Sequence, residues 1–175
     1  GSYDYLIHAA TDASAQLNRE QPAEMLDSIV SGMRHILRFA AEADVKKMLF
    51  TSSGAIYGKQ PADMPHVSEA FFGGPDCLAP ASAYGEGKRV AELMAAIHSK
   101  QYDYEMKIAR CFAFVGPHLP LNAHFAIGNF IRDAIEGKAI CINGDGTAYR
   151  SYLYAADLAI WLWTILFKGA SLCPY

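Results

Sequence analysis

The chain has 175 residues, of which 52% are hydrophobic and 19% charged, and its net charge is −3. This composition suits one globular domain with a sizeable core and excludes a disordered chain. The slight acidity gives no electrostatic reason for a nucleic acid or an anionic membrane as partner. In chain order, a strand is predicted over about 4–9, then a polar loop, then a helix over about 22–43 whose Met25, Leu26, Ile29, Met33, Ile36, Leu37 and Ala40 follow the helical period. Val45 to Thr51 reads as a buried strand, and 53–81 as a long loop rich in Pro and Gly, a length that in compact domains marks function or mobility. A helix follows over about 82–99 with Ser82 as its N-cap candidate, then a strand from Glu105 to Phe112. A second loop at about 113–123 leads to a helix over 124–136. Ala139–Ile142 and Tyr149–Tyr154 read as short strands around the turn Asn143-Gly144-Asp145-Gly146, a hairpin signal, and a last helix covers about 155–167. Strands alternating with helices predict an α/β fold with a parallel, doubly wound sheet and helices on both faces.

Cys77, Cys111, Cys141 and Cys173 form no CxxC pair, so reduced cysteines in a cytoplasmic protein are expected. His8, His35, His66, His98, His118 and His124 show no metal-ligand spacing, and no metal is expected. No signal-peptide pattern opens the chain. The apolar run from Leu153 to Phe167 is too short for a bilayer and is interrupted by Asp157, so it reads as a buried core helix. Gly1-Ser2 reads as a cloning scar.

The chemistry concentrates in Tyr84-Gly85-Glu86-Gly87-Lys88, taken with Thr51-Ser52-Ser53-Gly54-Ala55-Ile56-Tyr57-Gly58. A tyrosine four residues before a lysine shares its helix face. A nearby ammonium favours phenolate over phenol, and a serine hydroxyl at a strand end can hold the oxygen that gains or loses the proton. Taken alone, the Tyr-Lys spacing fits a solvated helix face equally well; it gains meaning from the Ser-Ser-Gly turn upstream. Gly85-Glu86-Gly87 lies inside a helix, and no GxGxxG follows a strand anywhere in the chain.

These motifs, in order, resemble the extended short-chain dehydrogenase/reductase superfamily, in its NAD-dependent nucleotide-sugar epimerase/dehydratase branch. Leu6-Ile7-His8-Ala9-Ala10-Thr11 looks like its fourth strand and the turn that touches the cofactor; Arg110-Cys111-Phe112-Ala113-Phe114-Val115-Gly116-Pro117 looks like the strand and loop continuing past the nicotinamide. Gly144-Asp145-Gly146 and Tyr149 to Asp157 look like the hairpin and helix start where an arginine contacts the diphosphate. The resemblance implies a partial Rossmann-like fold over 3–175, with a small hairpin toward the substrate side and part of the substrate region at about 113–154. It implies Ser53, Tyr84 and Lys88 as catalytic residues, and NAD or NADP held by Ala9, Ala10, Thr11, Ser52, Tyr84, Lys88, Cys111 and Phe112. A nucleotide-diphosphate sugar would meet Ser53, Gly54, Ala113, His124, Asn129 and Arg150. Tyr84 would pass the proton as hydride moves to or from the nicotinamide, Lys88 would contact the nicotinamide ribose, and Ser53 would orient the oxygen. Outside these sets, His8 reads as a strand-end packing residue, Tyr57 as a core aromatic or a substrate contact, and Phe112 as core packing that adds backbone to the cofactor wall.

Which reaction the site runs turns on the residues after the catalytic serine. By the same resemblance, 4,6-dehydratases place Asp-Glu there and UDP-glucuronate decarboxylases keep a glutamate; Gly54-Ala55 cannot transfer protons. That points to an epimerase or 4-ketoreductase, with 4,6-dehydration by other groups as the alternative. Two polar residues usual near the sugar are replaced: Ile29-Val30-Ser31-Gly32 stands for Asn-Val-x-Gly, and Ala113 for an asparagine. With no glycine-rich first turn, the chain is expected to be a segment of a longer enzyme, or, in a different class, a non-catalytic or oligomerising remnant. Two dimerisation routes are expected: the resemblance implies that the helices at 22–43 and 82–99 pack across a two-fold axis, and the exposed strand edge at 4–9 offers a second.

Overall fold

The computed structural model describes every residue except His124, Asn143 and Thr147–Tyr149. The described residues fall into two compact units: Gly1–Cys111 with Leu162–Tyr175, and Phe112–Trp161.

The first unit is built on a three-stranded parallel sheet in the order β1 (Tyr5–His8), β2 (Lys47–Ser53), β3 (Glu105–Cys111). The connections are helical, as parallel pairing requires. Between β1 and β2 run α1 (Ala15–Glu20) and α2 (Pro22–Glu42); between β2 and β3 run a 3-10 turn (Gly54–Tyr57), an irregular segment, a second 3-10 turn (Pro80–Ser82) and α3 (Ala83–Tyr102). Alternation sends Met48, Phe50, Met106 and Ile108 to one face, where they pack with Met25, Ile29, Met33 and Leu37 of α2 and Ala91 and Ala95 of α3. Leu49 and Ala109 point to the opposite face and meet Ile165 and Leu166 of α5 (Ala155–Lys168). Helices on both faces of a parallel sheet are the predicted architecture. The chain end runs beside β3: Tyr175 N donates to Ile108 O and Arg110 N to Tyr175 O.

In the second unit, β4 (Ala113–Val115) pairs in parallel with β5 (Tyr152–Tyr154), and α4 spans Ala126–Ile135.

Several elements differ from expectation. The polar loop after β1 contains α1, whose N-cap Ser14 accepts from Leu17 N. The loop at 113–123 begins with β4. The hairpin is replaced: residues 139–142 form no strand, and Tyr152–Tyr154 pairs with β4, because a parallel partner is already in register there; Asn143 and Tyr149 lie outside the described residues. The last helix is not buried all round, since Ile160, Trp161, Trp163 and Phe167 are exposed and the core takes only one stripe of it. Among the described residues, no helix is long and apolar enough to cross a membrane, and no cluster of metal-ligating side chains occurs.

Candidate active site

The site forms where β2 ends. Ser53 is its last residue, and the Ser53 hydroxyl accepts from Ala55 N at 3.2 Å, capping the 3-10 turn that follows. The start of α3 lies against this turn. A Cβ on Gly85 would sit 2.9 Å from Ala55 O and 2.8 Å from Pro75 Cγ, so only glycine allows the approach. On the other side of α3, a Cβ on Gly87 would meet Ile29 at 3.0 Å. The two glycines inside the Tyr-Lys motif therefore serve close packing rather than phosphate binding.

Ser82 does not cap α3. Its backbone is already helical and its side chain makes no cap bond. The partner comes from α1: Asn18 Oδ1 accepts from Tyr84 N at 2.9 Å, and Asn18 Nδ2 donates to Ala81 O at 2.9 Å. The only hint in the sequence is an amide residue between the strand and Pro22, and without the fold nothing indicates where it points.

Lys88 is 3% exposed. Its ammonium donates to Thr51 O at 2.9 Å and to Thr11 Oγ1 at 3.2 Å. It lies 4.7 Å from the centre of the Phe50 ring and 5.9 Å from that of Tyr84. Burial pushes its pKa down to about 8, opposed by the nearby Cys111 thiol and Glu92 carboxyl. His8 stacks on Phe50, with ring centres 5.6 Å apart, as a packing residue; burial and the Lys88 charge hold its imidazole below the usual range. Burial pushes the Cys111 thiol up, partly offset by Lys88.

Thr11, Tyr84, Lys88, Ser52, Ser53, Gly54 and Cys111 thus all belong to the first unit, around the ends of β1, β2 and β3. Ala9 and Ala10 follow β1 and are exposed. The Ser52 side chain donates to Glu92 Oε1 at 2.5 Å. Phe112, Ala113, Asn129 and Arg150 belong to the second unit. Phe112 is 63% exposed instead of packed in a core. The Asn129 amide nitrogen, in the orientation that satisfies both its ends, donates to Leu121 O at 2.8 Å and Ala123 O at 3.2 Å, which fastens the loop before α4. Arg150 is exposed just ahead of β5, and His124 lies outside the described residues.

Tyr57 is buried, 4% exposed. Its hydroxyl accepts from Arg110 Nη1 at 2.9 Å. Arg110 also grips Glu92 through two bonds, Nε to Oε1 at 3.2 Å and Nη2 to Oε2 at 2.9 Å. Neither Glu92 nor this use of Arg110 is visible in the sequence, because their pairing spans two elements.

A parallel sheet with helices on both faces defines the fold class, and the family comparison agrees. The model of the NAD dependent epimerase/dehydratase family matches residues 2–172, and the chain belongs to that family. UDP-glucuronic acid decarboxylase 6 of Arabidopsis thaliana is 31% identical over 155 residues, 89% of this chain and 44% of that protein. UDP-glucuronic acid decarboxylase 1 of Xenopus tropicalis is 32% identical over 155 residues, 89% of this chain and 36% of that protein. Among solved structures, UDP-glucose 4-epimerase of Thermotoga maritima with UDP-glucose superposes with a TM-score of 0.84 at 26% identity, over 95% of this chain and 52% of that one. The chain spans less than half the length of the curated relatives it matches.

Proposed function

We propose that the protein containing this chain is an NAD(P)-dependent nucleotide-sugar epimerase or 4-ketoreductase that works through Ser53, Tyr84 and Lys88. The observation that carries this reading is Lys88. A cation buried to 3% exposure is costly to hold, and two of its three donors are used by Thr51 and Thr11. The third suits a ligand oxygen such as a ribose hydroxyl, so the donor set fits a dinucleotide. Thr11 and Lys88 would hold it, with the backbone at Ala9 and Ala10 and the end of β3 at Cys111 and Phe112. When bound, such a dinucleotide would supply the hydride acceptor and donor for a sugar carbon. Tyr84 takes the hydroxyl proton in oxidation and gives it back in reduction, at its phenolic oxygen. The Lys88 ammonium offsets the charge that develops there, and Ser53 orients the sugar oxygen.

Substrate contacts at Gly54, Ala113, His124, Asn129 and Arg150 belong to the same proposal, with Arg150 suited to the diphosphate because guanidinium binds phosphate through paired donors. In domain terms, 113–154 contributes to substrate binding.

Likeness to decarboxylases favours a second reading, sugar-acid decarboxylation, and 4,6-dehydration stands beside it. Both ask for a proton-transferring group after the serine, where this chain has Gly54-Ala55. In the other class stands a non-catalytic, oligomerising segment. We further propose a homodimer through α2 and α3, supported by exposed Leu26, Phe39, Val90, Leu93 and Ile97, and a cytoplasmic location, supported by four free cysteines. The test is Tyr84→Phe. Turnover across a panel of UDP- and dTDP-sugars should fall by about 10²–10⁴, the usual worth of a positioned acid–base group, while cofactor affinity stays within a few-fold. Undiminished turnover overturns the assignment, and release of carbon dioxide from UDP-glucuronate favours the second reading.

A further inference from the structure

Ser52 of β2 and Arg110 of β3 are register partners on adjacent strands, so their side chains leave the sheet on the same face. Both reach Glu92, which lies one helical turn past Lys88 on the same face of α3. The Ser52 hydroxyl donates to Glu92 Oε1, and Arg110 closes a two-bond pair with the same carboxylate. The pair is withdrawn from solvent, with side chains 15% and 12% exposed. Arg110 continues outward, donating from Nη1 to the Tyr57 hydroxyl and to Glu69 O at 3.1 Å, with its guanidinium carbon 5.0 Å from the centre of the Tyr57 ring. A single chain of contacts therefore runs from α3 through the end of β2 and β3 to the far end of the turn that begins after Ser53.

Buried ion pairs contribute little net stability against apolar replacements, because desolvation offsets attraction. What such a pair can add is a single fixed geometry. We infer that Glu92 is a positioning residue: through Ser52, Arg110 and Tyr57 it locks the end of β2 and the turn after Ser53 to the helix that carries Tyr84 and Lys88. The inference rests on the Ser53–Tyr84–Lys88 reading for its purpose, but its geometry can be tested without it. The titratable groups facing Lys88 are His8 from β1, Cys111 from β3, and Tyr84 and Glu92 from α3. Of these, Cys111 and the Glu92 carboxylate both help keep the ammonium protonated, and removal of the carboxylate also leaves the Arg110 charge uncompensated nearby.

The experiment compares wild type with Glu92→Gln, free of cofactor and sugar, by amide hydrogen exchange and by the titration of the Lys88 side chain in lysine-labelled protein. Exchange of the Ala55 and Gly58 amides should quicken at least tenfold while those of Met48 to Phe50 stay within twofold, and the Lys88 midpoint should fall. If Glu92→Gln does not fold, Tyr57→Phe is read the same way; it removes one acceptor from Arg110 and keeps the charge pair, so Ala55 and Gly58 should quicken with the Lys88 midpoint unmoved. Unchanged exchange at Ala55 and Gly58, or a uniform rise along all of β2, overturns the inference. Neither readout involves turnover, so the loss of activity in Tyr84→Phe is judged separately.

Discussion

At the residue scale, Lys88 carries a buried charge at a cost to stability. Its pKa falls from 10.5 to about 8 on folding, which corresponds to a cost of about 3 kcal/mol for carrying the buried charge at neutral pH. Below pH 8 the lysine is protonated in both states and the cost is full. Between about 8 and 10.5 the unfolded chain binds more protons, so stability from this group rises with pH. Lys88→Met should therefore stabilise the chain at pH 7 by about 1–2 kcal/mol, less than the full cost because Thr51 O loses a donor. Urea denaturation should show the gap to wild type closing as pH is raised above 8, with activity abolished. Gly85→Ala should do the opposite. Helix propensity gains up to about 1 kcal/mol, but a Cβ against the backbone of Ala55 costs about 1–3 kcal/mol and shifts the start of α3, which carries Tyr84, from the turn after Ser53. Thermal melting and turnover should both fall. Ser53, Tyr84 and Lys88 stood out in the sequence through a family resemblance carried by local motifs, since the Tyr-Lys spacing alone fits a solvated helix face. Glu92 and Asn18 did not, because their roles depend on partners 18 and 66 residues away.

At the element scale, long periodic segments were legible and short ones were not. The apolar period of α2 is carried by Met25, Ile29, Met33 and Leu37, which pack on the sheet as expected. The six-residue α1 has no buried residue, so no apolar period could reveal it. It matters nonetheless, because it presents Asn18 to the first turn of α3. Asn18→Ala should cost about 1–2 kcal/mol, the worth of a lost cap, measured by denaturation, and Asn18→Asp should recover part of this because the acceptor for Tyr84 N remains. The glycine turn at 143–146 was a sound local signal that the tertiary pairing of Tyr152–Tyr154 with Ala113–Val115 overrode. Three-residue strands are too short for alternation to identify their partner.

At the scale of the whole molecule, the parallel sheet is covered on both faces, but its β1 edge pairs on one side only and the α2–α3 surface carries a groove of about 570 Å³ lined by Leu37, Met94, Ile97 and Tyr102. Exposed apolar surface of this kind fits the homodimer proposed above. Light scattering should find a dimer that Leu93→Asp combined with Ile97→Asp converts to monomer; a dimer untouched by those changes points instead to the strand edge at β1. Layer order was legible from the alternation of strands and helices. The exposed aromatics of α5 were not, because an all-apolar run does not say which of its faces the core takes. In the proposed function, buried Lys88 holds a dinucleotide beside Tyr84 and Ser53. The most direct test is a fluorescence titration with NADH and with NADPH, on wild type and on Lys88→Met. Wild type should bind at least one cofactor saturably, and the folded variant should lose that binding. No saturation by wild type at millimolar cofactor, or equal affinity in Lys88→Met, would contradict that role.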